Sequence, residues 1–287
     1  MVGLCGWFYY LCGVALKVGL VSSAVRVFSE VMGEAVELPD KTKRIVSLSP
    51  SITETLFEMG LGDRVTGVTV YCHRPPEAML KPRVAAYTGV LVDRLRGINP
   101  DLILTTTGVQ RGLINEVKAI APTYLIPIPV TIYGVLDFVK KVALVVNELD
   151  RGEELAIKLL RTLTEYAKAC PPLRTYVEIE FEEPYTAGAH TYVDSMLRLL
   201  GLRNIYGDEP RAYFSLGRGT IEVDLAIYDP KPIGRKRGSE EVVNWLKARG
   251  IKARAYLITE GDELAHHGPY LIRVTLRKIA EICNKLH

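Results

Sequence analysis

The segment 43–107 alternates short apolar strands with helical stretches, and this alternation constrains the fold more than any other feature of the chain. The expected strands are Arg44–Leu48, Val65–Thr69 and Leu102–Thr105, and a short helix is expected at Leu91–Gly97. Strands that alternate with helices are typical of a parallel sheet covered by helices. We therefore predict an α/β fold.

The loops after these strands indicate where a ligand would bind, because parallel sheets bind ligands at the carboxyl ends of their strands. The loops read Ser-Pro-Ser, Tyr-Cys-His-Arg, Ala-Tyr-Thr-Gly and Thr-Thr-Gly-Val-Gln-Arg. They are small, aromatic and hydrogen-bonding, and they contain no obvious nucleophile with a neighbouring base. The chain also lacks the Gly-x-Ser-x-Gly, P-loop and dinucleotide-binding turns. The pattern favours binding over catalysis.

Length and charge narrow the possible functions. The chain has 287 residues, a net charge of +3 and 24% charged residues, which fits a globular protein of one large or two modest domains. The cationic run Arg235-Lys236-Arg237 is isolated, so the sequence shows no basic stripe and we expect no nucleic-acid partner.

The five cysteines form neither a Cys-x-x-Cys pair nor a Cys/His cluster with zinc spacing. Their odd number and wide spacing argue against a disulfide framework, and we expect buried thiols. Cys72 is the cysteine that could contact a ligand, since it lies beside Tyr71 and His73 in a loop that follows a strand.

The N-terminal segment 1–24 resembles an export signal or membrane anchor. Residues Leu4 to Leu16 form an apolar run of 13 residues, which suits a signal-peptide core and is short for a membrane span. Ser22-Ser23-Ala24 offers small residues for cleavage, although no basic residue precedes the run and Cys12 lacks a lipobox. The alternative is an apolar helix packed on the body of a cytoplasmic protein, or a wrongly assigned start.

The remaining chain divides into three parts. A hairpin around a Met-Gly turn leads into an N-terminal lobe, 25–130; helices occupy 131–172; and a C-terminal lobe spans 173–287. In the helical part, Leu155, Leu159 and Leu163 recur at helical spacing, so an uninterrupted helix is expected from about residue 151 to 168.

The motifs RIVSLSPSITETLFEMGLGDRVTGV, Pro75-Pro76 and NPDLIL resemble the class III substrate-binding proteins of ABC importers, and most closely the branch that binds cobalamin and other corrinoids. The resemblance extends from about Val25 to the C-terminus. It implies two Rossmann-like lobes with parallel sheets joined by a long interlobe helix. It also implies a ligand in the cleft, a monomer without catalytic activity or resident cofactor, and an ABC permease as partner.

Three tyrosines are implied as aromatic walls for a flat macrocycle: Tyr87 in the first lobe, and Tyr185 and Tyr213 in the second. For Tyr87 the structural alternative is that its ring covers the neighbouring core. Tyr71 and Cys72 complete the first-lobe side of the expected site.

Polar ligand contacts are expected from side chains around the cleft: Ser49, Ser51, Thr106, Thr107, Gln110 and Arg111. A helix that begins at Ser49 could present its amides to ligand acceptor groups. The alternative for Ser49 is a purely structural role as a helix N-cap.

Of the histidines, His266 or His267 is expected to face the cleft, because DELAHHGP resembles the last ligand-facing turn of the family. A neutral imidazole there could coordinate the ligand's cobalt or iron. The protein itself is expected to hold no metal.

Permease docking in this family uses one surface acid per lobe. The matching position of the first lobe holds Asp93. In the second lobe the corresponding stretch is shorter than usual, and we expect Glu222 to compensate for the missing acid.

Two other functions remain open at this point. A haem or ferric-siderophore binder would use Tyr71 and His266 as axial ligands. A cytoplasmic tetrapyrrole metal chelatase would share the two-lobed architecture and use His190, His266 and Glu182.

Overall fold

The computed structural model describes residues 24–86, 89–108, 113–181, 183–216, 219–231 and 238–286. The expected export segment, except Ala24, lies outside the described residues, and so do Tyr87, Gln110, Arg111 and Glu182. None of the helices within the described ranges is both long and apolar enough to span a membrane.

The chain begins with the predicted hairpin, formed by β1 (Ala24–Ser29) and β2 (Glu34–Pro39), which pair in antiparallel register. The hairpin is attached to the first lobe by the Tyr124 hydroxyl, which donates a hydrogen bond of 3.0 Å to the carbonyl of Phe28.

Lobe one (45–126) contains a five-stranded sheet in the order β5-β4-β3-β6-β7, in which all neighbours are parallel. Its strands are β3 (Ile45–Ser47), β4 (Val65–Thr69), β5 (Arg83–Ala85), β6 (Leu102–Thr106) and β7 (Thr123–Ile126). Its helices are α1 (Pro50–Glu58), α2 (Val92–Ile98) and α3 (Ile114–Lys118). The parallel sheet predicted from the strand–helix alternation is confirmed.

Two helices connect the lobes: α4 (Gly134–Val145) and α5 (Leu149–Tyr166). The predicted long interlobe helix is therefore continuous. The two helices pack so closely that a Cβ atom at Gly152 would collide with the side chain of Ala143. At its start α5 contacts lobe one, where Arg151 donates a hydrogen bond of 2.8 Å to the carbonyl of Met59.

Lobe two (174–284) has the sheet order β11-β9-β8-β12-β13, with β10 paired to β8. The strands are β8 (Arg174–Glu180), β9 (Pro184–Ala187), β10 (Arg203–Asn204), β11 (Tyr213–Ser215), β12 (Ile221–Asp229) and β13 (Ile251–Ile258). The helices are α6 (Tyr192–Leu200), α7 (Ser239–Ala248) and α8 (Leu276–Asn284), the last preceded by a π-helical turn at Leu271–Thr275. β8, β12 and β13 are parallel, whereas β9 is antiparallel to β8 and occupies a stretch expected to be only a turn.

The expectation that the cysteines are unpaired thiols is wrong for two of them. Cys170, just after α5, and Cys283, near the end of α8, form a disulfide with a Cα–Cα distance of 5.4 Å. The two residues are 113 positions apart in sequence, so only the folded arrangement brings them together. Cys72 remains a free, buried thiol.

A continuous apolar core runs from lobe one through α4 and α5 into lobe two; it includes Ile52, Leu104, Val139, Leu159 and Leu276. A smaller apolar cluster covers the outer face of each sheet, one in lobe one and one in lobe two. The shared core holds both lobes against the connecting helices, so the carboxyl ends of the two sets of parallel strands meet between the lobes.

Candidate functional site at the interlobe seam

The interlobe seam is formed by loops from both lobes: residues 47–54 and 69–75 of lobe one, and residues 259–270 of lobe two. Each loop follows a strand, so its position is fixed by the carboxyl end of that strand. A Cβ atom at Gly268 would collide with the Glu54 carboxylate and would lie 3.2 Å from Ser51 Cα. Glycine at this position therefore permits the close approach of the two lobes.

The start of α1 differs in detail from the N-cap expected at Ser49. Ser49 has the extended backbone of an N-cap, but its side chain makes no capping hydrogen bond, so a purely capping role is wrong for its hydroxyl. Its carbonyl accepts a 3.1 Å hydrogen bond from the Thr53 hydroxyl. Ser51 is fully buried, and its Oγ has no hydrogen-bond partner among the described residues.

The loop after β4 contains Tyr71, which is half-buried, and Cys72, which is fully buried. The Cys72 thiol accepts a hydrogen bond of 3.2 Å from the Thr53 hydroxyl and lies 3.2 Å from that of Thr69. Burial raises the pKa of the thiol. The Cys72 side chain thus lies in the interior of lobe one, where it contacts Thr53 and Thr69, and it is not a proposed ligand contact.

Arg74 crosses from lobe one to lobe two. Its Nε donates a 2.9 Å hydrogen bond to Glu54, and its two terminal nitrogens donate to the carbonyls of Gly261 and Asp262. Its guanidinium also lies 4.3 Å from the ring centroid of Tyr270. Burial alone would lower the pKa of Arg74, but Glu54 and Asp262 raise it above its usual value, whereas burial raises the pKa of Glu54 despite the nearby charge of Arg74. Their 2.9 Å contact favours the ion pair.

The loop after β13 is organised by Asp229, the last residue of β12. Its carboxylate accepts hydrogen bonds from the amides of Glu263, Leu264 and Ala265 at 3.0, 2.8 and 3.1 Å, and from the Thr259 hydroxyl. One buried carboxylate therefore fixes the shape of the backbone that carries the lobe-two side of the seam.

Asp262 and His266 lie on this loop and are both buried. Asp262 has a positive φ of 54°, and its Oδ2 lies 3.9 Å from His266 Nδ1, beyond hydrogen-bond distance. Burial, with a contribution from Asp229, raises the pKa of Asp262 to about 8. Burial, together with the charge of Arg74, lowers the pKa of His266 well below its usual value. Both groups are consequently neutral near pH 7.

His267 is buried against the connecting helices. Its ring is edge-on to Phe138 of α4, with centroids 4.7 Å apart, and its centroid is 5.8 Å from that of Tyr192. Its Nε2 has no hydrogen-bond partner among the described residues, and burial lowers its pKa to about 3. The structure therefore brings both histidines of DELAHHGP into the seam region.

The two expected tyrosines of lobe two lie on adjacent strands. Tyr185 is opposite Ser215 and Tyr213 is opposite Ala187 in the antiparallel pair β9–β11. Tyr185 donates a hydrogen bond of 3.1 Å to Glu183, whereas Tyr213 is 39% exposed. Burial of the Tyr213 hydroxyl raises its pKa. The register thus places these two tyrosines diagonally on one face of the β9–β11 pair, and their contact with a ligand stays a prediction.

The threonines at the end of β6 have different surroundings. Thr106 is buried, and Thr107 Oγ1 accepts a 3.0 Å hydrogen bond from the amide of Ile128, which gives Thr107 a structural role. The expected partners Gln110 and Arg111 lie outside the described residues.

The histidine–acid constellation of a chelatase finds no support in the described part of the chain. His190 is exposed in the turn before α6, whereas His266 is buried in the seam. Over the described ranges, no group of three or more His, Cys, Asp or Glu side chains is placed to hold a metal ion.

The two expected docking acids occupy different places. Asp93 is exposed in the first turn of α2, which follows the carboxyl end of β5 and so lies toward the seam. Glu222 is exposed at the amino end of β12, 3.5 Å from Lys252 at the amino end of β13. The amino ends of parallel strands lie at the edge away from the seam, and the docking role of Glu222 stays a prediction.

Sequence reasoning missed Glu54, Arg74, Asp229 and Asp262 as organising residues of the seam. Glu54 could have been noticed as a charge among the residues of α1 that face the core, and Asp229 as an acid directly after a buried strand. Arg74 and Asp262 carry no comparable signal, because their contacts depend on how the lobes meet.

The comparisons with known proteins agree with this architecture. Residues 45–226, more than half of the chain, match the sequence profile of a family described as periplasmic binding protein. The chain belongs to this family, and its lobes and interlobe helix are those of the class III members.

Among curated relatives, the vitamin B12-binding protein of Yersinia pestis (strain Pestoides F) is 29% identical over 171 residues, which cover 58% of this chain and 61% of the relative. The match thus spans about three-fifths of the relative's length.

Two solved structures show the same fold. The periplasmic vitamin B12-binding protein BtuF of Vibrio cholerae has a TM-score of 0.64 at 20% identity, covering 85% of this chain and 96% of that one. The periplasmic haem-binding protein RhuT from Roseiflexus sp. RS-1, in apo form, has a TM-score of 0.69 at 19% identity, covering 85% and 98%.

Proposed function

We propose that this protein is the substrate-binding component of an ABC importer and that it holds cobalamin or a related corrinoid between its lobes. The observation that carries the proposal is the seam itself, where loops that follow strands of both lobes meet in a chain of the periplasmic binding protein family. Ligands of parallel sheets bind at this edge. Ser51, whose buried Oγ has no hydrogen-bond partner among the described residues, lies at the start of α1 beside the seam.

The charge state of the seam favours a corrinoid over haem. Asp262, His266 and His267 are neutral near pH 7, and the charge of Arg74 is neutralised by Glu54. Corrinoid side chains are mostly neutral carboxamides, whereas the two propionates of haem are anionic and would need a free cation. The vitamin B12-binding relatives support the same choice.

A haem binder is the second candidate, since the neutral imidazole of His266 is the form that ligates iron. The haem-binding relative of similar fold supports this alternative. Under either proposal the chain binds its ligand and catalyses no reaction.

Location and partner follow from the proposed role. We propose an extracytoplasmic, membrane-associated monomer that docks to a permease through Asp93 of lobe one. The Cys170–Cys283 disulfide supports this location, because disulfides persist mainly in oxidising compartments. The haem and corrinoid proposals share this location and partner.

Calorimetric titration of the purified chain with cyanocobalamin, dicyanocobinamide and hemin tests the proposed ligand. We expect a dissociation constant for one of the corrinoids at or below about 1 μM. Binding of hemin alone, with a Soret shift lost in His266→Ala, would select the haem alternative. Binding of none of the three would refute both.

Paired substitutions on α1 test the role of the seam in binding. Ser51→Ala removes an unpartnered hydroxyl, so corrinoid affinity should fall about three- to tenfold while stability stays equal or rises. The control is Thr55→Ala, which removes a 2.7 Å hydrogen bond to the Ser51 carbonyl within the helix. It should cost about 1 kcal/mol of stability and leave affinity unchanged. The reverse result would give Ser51 a structural role only.

A further inference from the structure

Arg74 is the most extensively bonded side chain that crosses the seam. Only 13% of its side chain is exposed, although it belongs to a loop. The guanidinium contacts lobe two at three points: the carbonyls of Gly261 and Asp262, and the face of Tyr270. An arginine can make these contacts simultaneously because its planar group presents five donors and stacks on aromatic rings.

Glu54 anchors this arginine from the lobe-one side. Its carboxylate, 5% exposed, accepts the Arg74 Nε hydrogen bond and lies 3.4 Å from the amide nitrogen of Tyr270, which donates to it. Gly268 packs directly on the same carboxylate. The Glu54–Arg74 pair is therefore the junction of α1, the loop after β4 and the lobe-two segment 261–270.

We propose that Arg74 is a positioning residue: it holds segment 261–270 of lobe two against α1 in the free protein, so that Asp262 and His266 are already placed for the ligand. The ligand part of this inference rests on the proposed function. The interlobe part does not, because every contact that carries it joins residues of this chain.

The contribution of Arg74 is distinct from that of Asp229. Asp229 bonds residues 259–265 within lobe two and so fixes the internal shape of the loop. Arg74 bonds the same loop from the other lobe and so fixes its position relative to α1. Loss of Arg74 should loosen the seam while the loop keeps its shape.

The chain contains a natural control for this proposal. Arg273 of the π-helical turn pairs with Glu58 of α1, so it also joins the two lobes. Its side chain is 51% exposed and bonds neither Gly261 nor Asp262 in the structure. Exposed ion pairs of this kind contribute little. Arg273→Met therefore tests whether any interlobe ion pair would have the same effect.

The test variant is Arg74→Met/Glu54→Gln, which keeps the size of both side chains and leaves no unpaired buried charge that could prevent folding. In the free protein, we expect amide hydrogen exchange of segment 266–270 to be at least about tenfold faster than in the parent, and that of 263–265 to change little. Arg273→Met should stay within about twofold of the parent.

Cyanocobalamin titration of the same variants tests the positioning role. If the ligand-competent position of the segment is populated about one-tenth of the time, the apparent affinity falls about tenfold. Arg74→Lys should be intermediate, because an ammonium group can keep the Glu54 pair but cannot span two carbonyls and stack on a ring. Arg273→Met should bind like the parent.

The outcomes test the hold of Arg74 on segment 261–270 (the latch) separately from the identity of the ligand. Unchanged exchange of segment 266–270 in the double variant would overturn the latch whatever the chain binds. Faster exchange with an affinity equal to that of Arg273→Met would overturn the positioning role. If the parent binds neither corrinoid nor hemin, the proposed function fails, and the exchange measurement still decides the latch.

Discussion

The two lobes share a sheet order but cover the outer faces of their sheets differently. In lobe one, α2 connects β5 to β6 and inserts the fully buried Leu95 beside Val46 and Ile103. In lobe two, only residues 216–220 connect β11 to β12, and the described ones, 216, 219 and 220, are not helical. Tyr176 of β8 corresponds to Val46 of β3, since Tyr176 pairs with Ala226 of β12 and Val46 pairs with Ile103 of β6.

Lobe two has α7 on this face, as lobe one has α3, but aromatic rings take the place of α2. Edge-on contacts join Tyr176 to Tyr206, Tyr206 to Phe214, and Tyr228 to Trp245. A cavity of about 400 Å³ remains, lined by Tyr176, Leu216, Gly219, Ile221, Ala248, Arg249 and Ile251. The two lobes thus differ on their outer faces, and no helix lies between β11 and β12 among the described residues of lobe two to carry a counterpart of the exposed acid of α2.

Removing the disulfide should have the largest effect on this comparison, because it lies at the border of lobe two and α5 while the described part of lobe one has only the free Cys72. Cys170→Ala/Cys283→Ala should lower the free energy of unfolding by about 3–5 kcal/mol, through the entropy of a loop of 113 residues. Urea unfolding with and without reductant measures the change. Reductant should destabilise the parent but not this variant; an equal response would mean that another thiol is responsible.

Leu95→Ala in α2 should have the next largest effect. Leu95 is fully buried, so its truncation should cost about 2–5 kcal/mol of unfolding free energy. Denaturant unfolding monitored by circular dichroism measures the change. A cost below about 1 kcal/mol would show that the outer face of lobe one can repack around the shortened side chain. The Leu95 side chain of α2 would then not be required to fill this face.

Acid sensitivity should come from the lobe-two side of the seam. The pKa of His267 is lowered to about 3 in the folded state, so its contribution to stability is present above its unfolded pKa of about 6.5 and is lost as the pH falls toward 3. This loss should be on the order of 3 kcal/mol by pH 4. His267→Gln should remove it, so the difference in stability between parent and variant should change by about this amount between pH 6.5 and 4; a constant difference would assign the acid sensitivity to His266 or another group.

Asp262 acts in the opposite direction. Its pKa is raised to about 8 in the folded state, so its contribution to stability is lost as the pH rises from about 4 to about 8. Asp229, Glu54, Arg74 and Lys231 are the charged groups that influence it. Between about pH 4 and 6.5 the contributions of Asp262 and His267 have opposite slopes, so the profile of His267→Gln is read as a difference from the parent, in which the Asp262 contribution cancels.

The smallest effect is expected from filling the cavity of lobe two. Ala248→Leu should raise the free energy of unfolding by about 0.5–1 kcal/mol, because the added atoms enter existing space. The matched control is Ala119→Leu, at the corresponding Lys-Ala end of α3, where the change should be within about 0.5 kcal/mol. Thermal unfolding compares the two; equal shifts would show that helix propensity and not the cavity is responsible.

The parts of the fold that sequence reasoning recovered are those with local signals. The bounds of β4 match their prediction, since an apolar run flanked by turn residues marks where the strand begins and ends. β9, β10 and β11 were not recovered, because edge strands of two to four residues depend on neighbours that are distant in sequence.

The candidate site was recovered only in part, for the same physical reason. Loop position after a strand identified Ser51 as a residue of the seam, and the resemblance of DELAHHGP to the family's last ligand-facing turn identified the His266–His267 pair. The Arg74–Glu54 pair depends on contacts with residues about 190 to 215 positions away, and no local pattern reports such contacts. The disulfide was missed because cysteine spacing carries no information about a pairing across 113 residues.

The way in which Asp229 holds the seam loop has a consequence for how binding specificity can change. Three of its four hydrogen bonds come from main-chain amides, which every residue except proline supplies. A substitution at His266 therefore leaves all four hydrogen bonds of Asp229 in place, whereas Leu264 belongs to the core and Asp262 has a positive φ of 54°. A single carboxylate thus fixes the loop backbone independently of the side chain at position 266, and a library varied at that position would sample new ligand contacts on a constant frame.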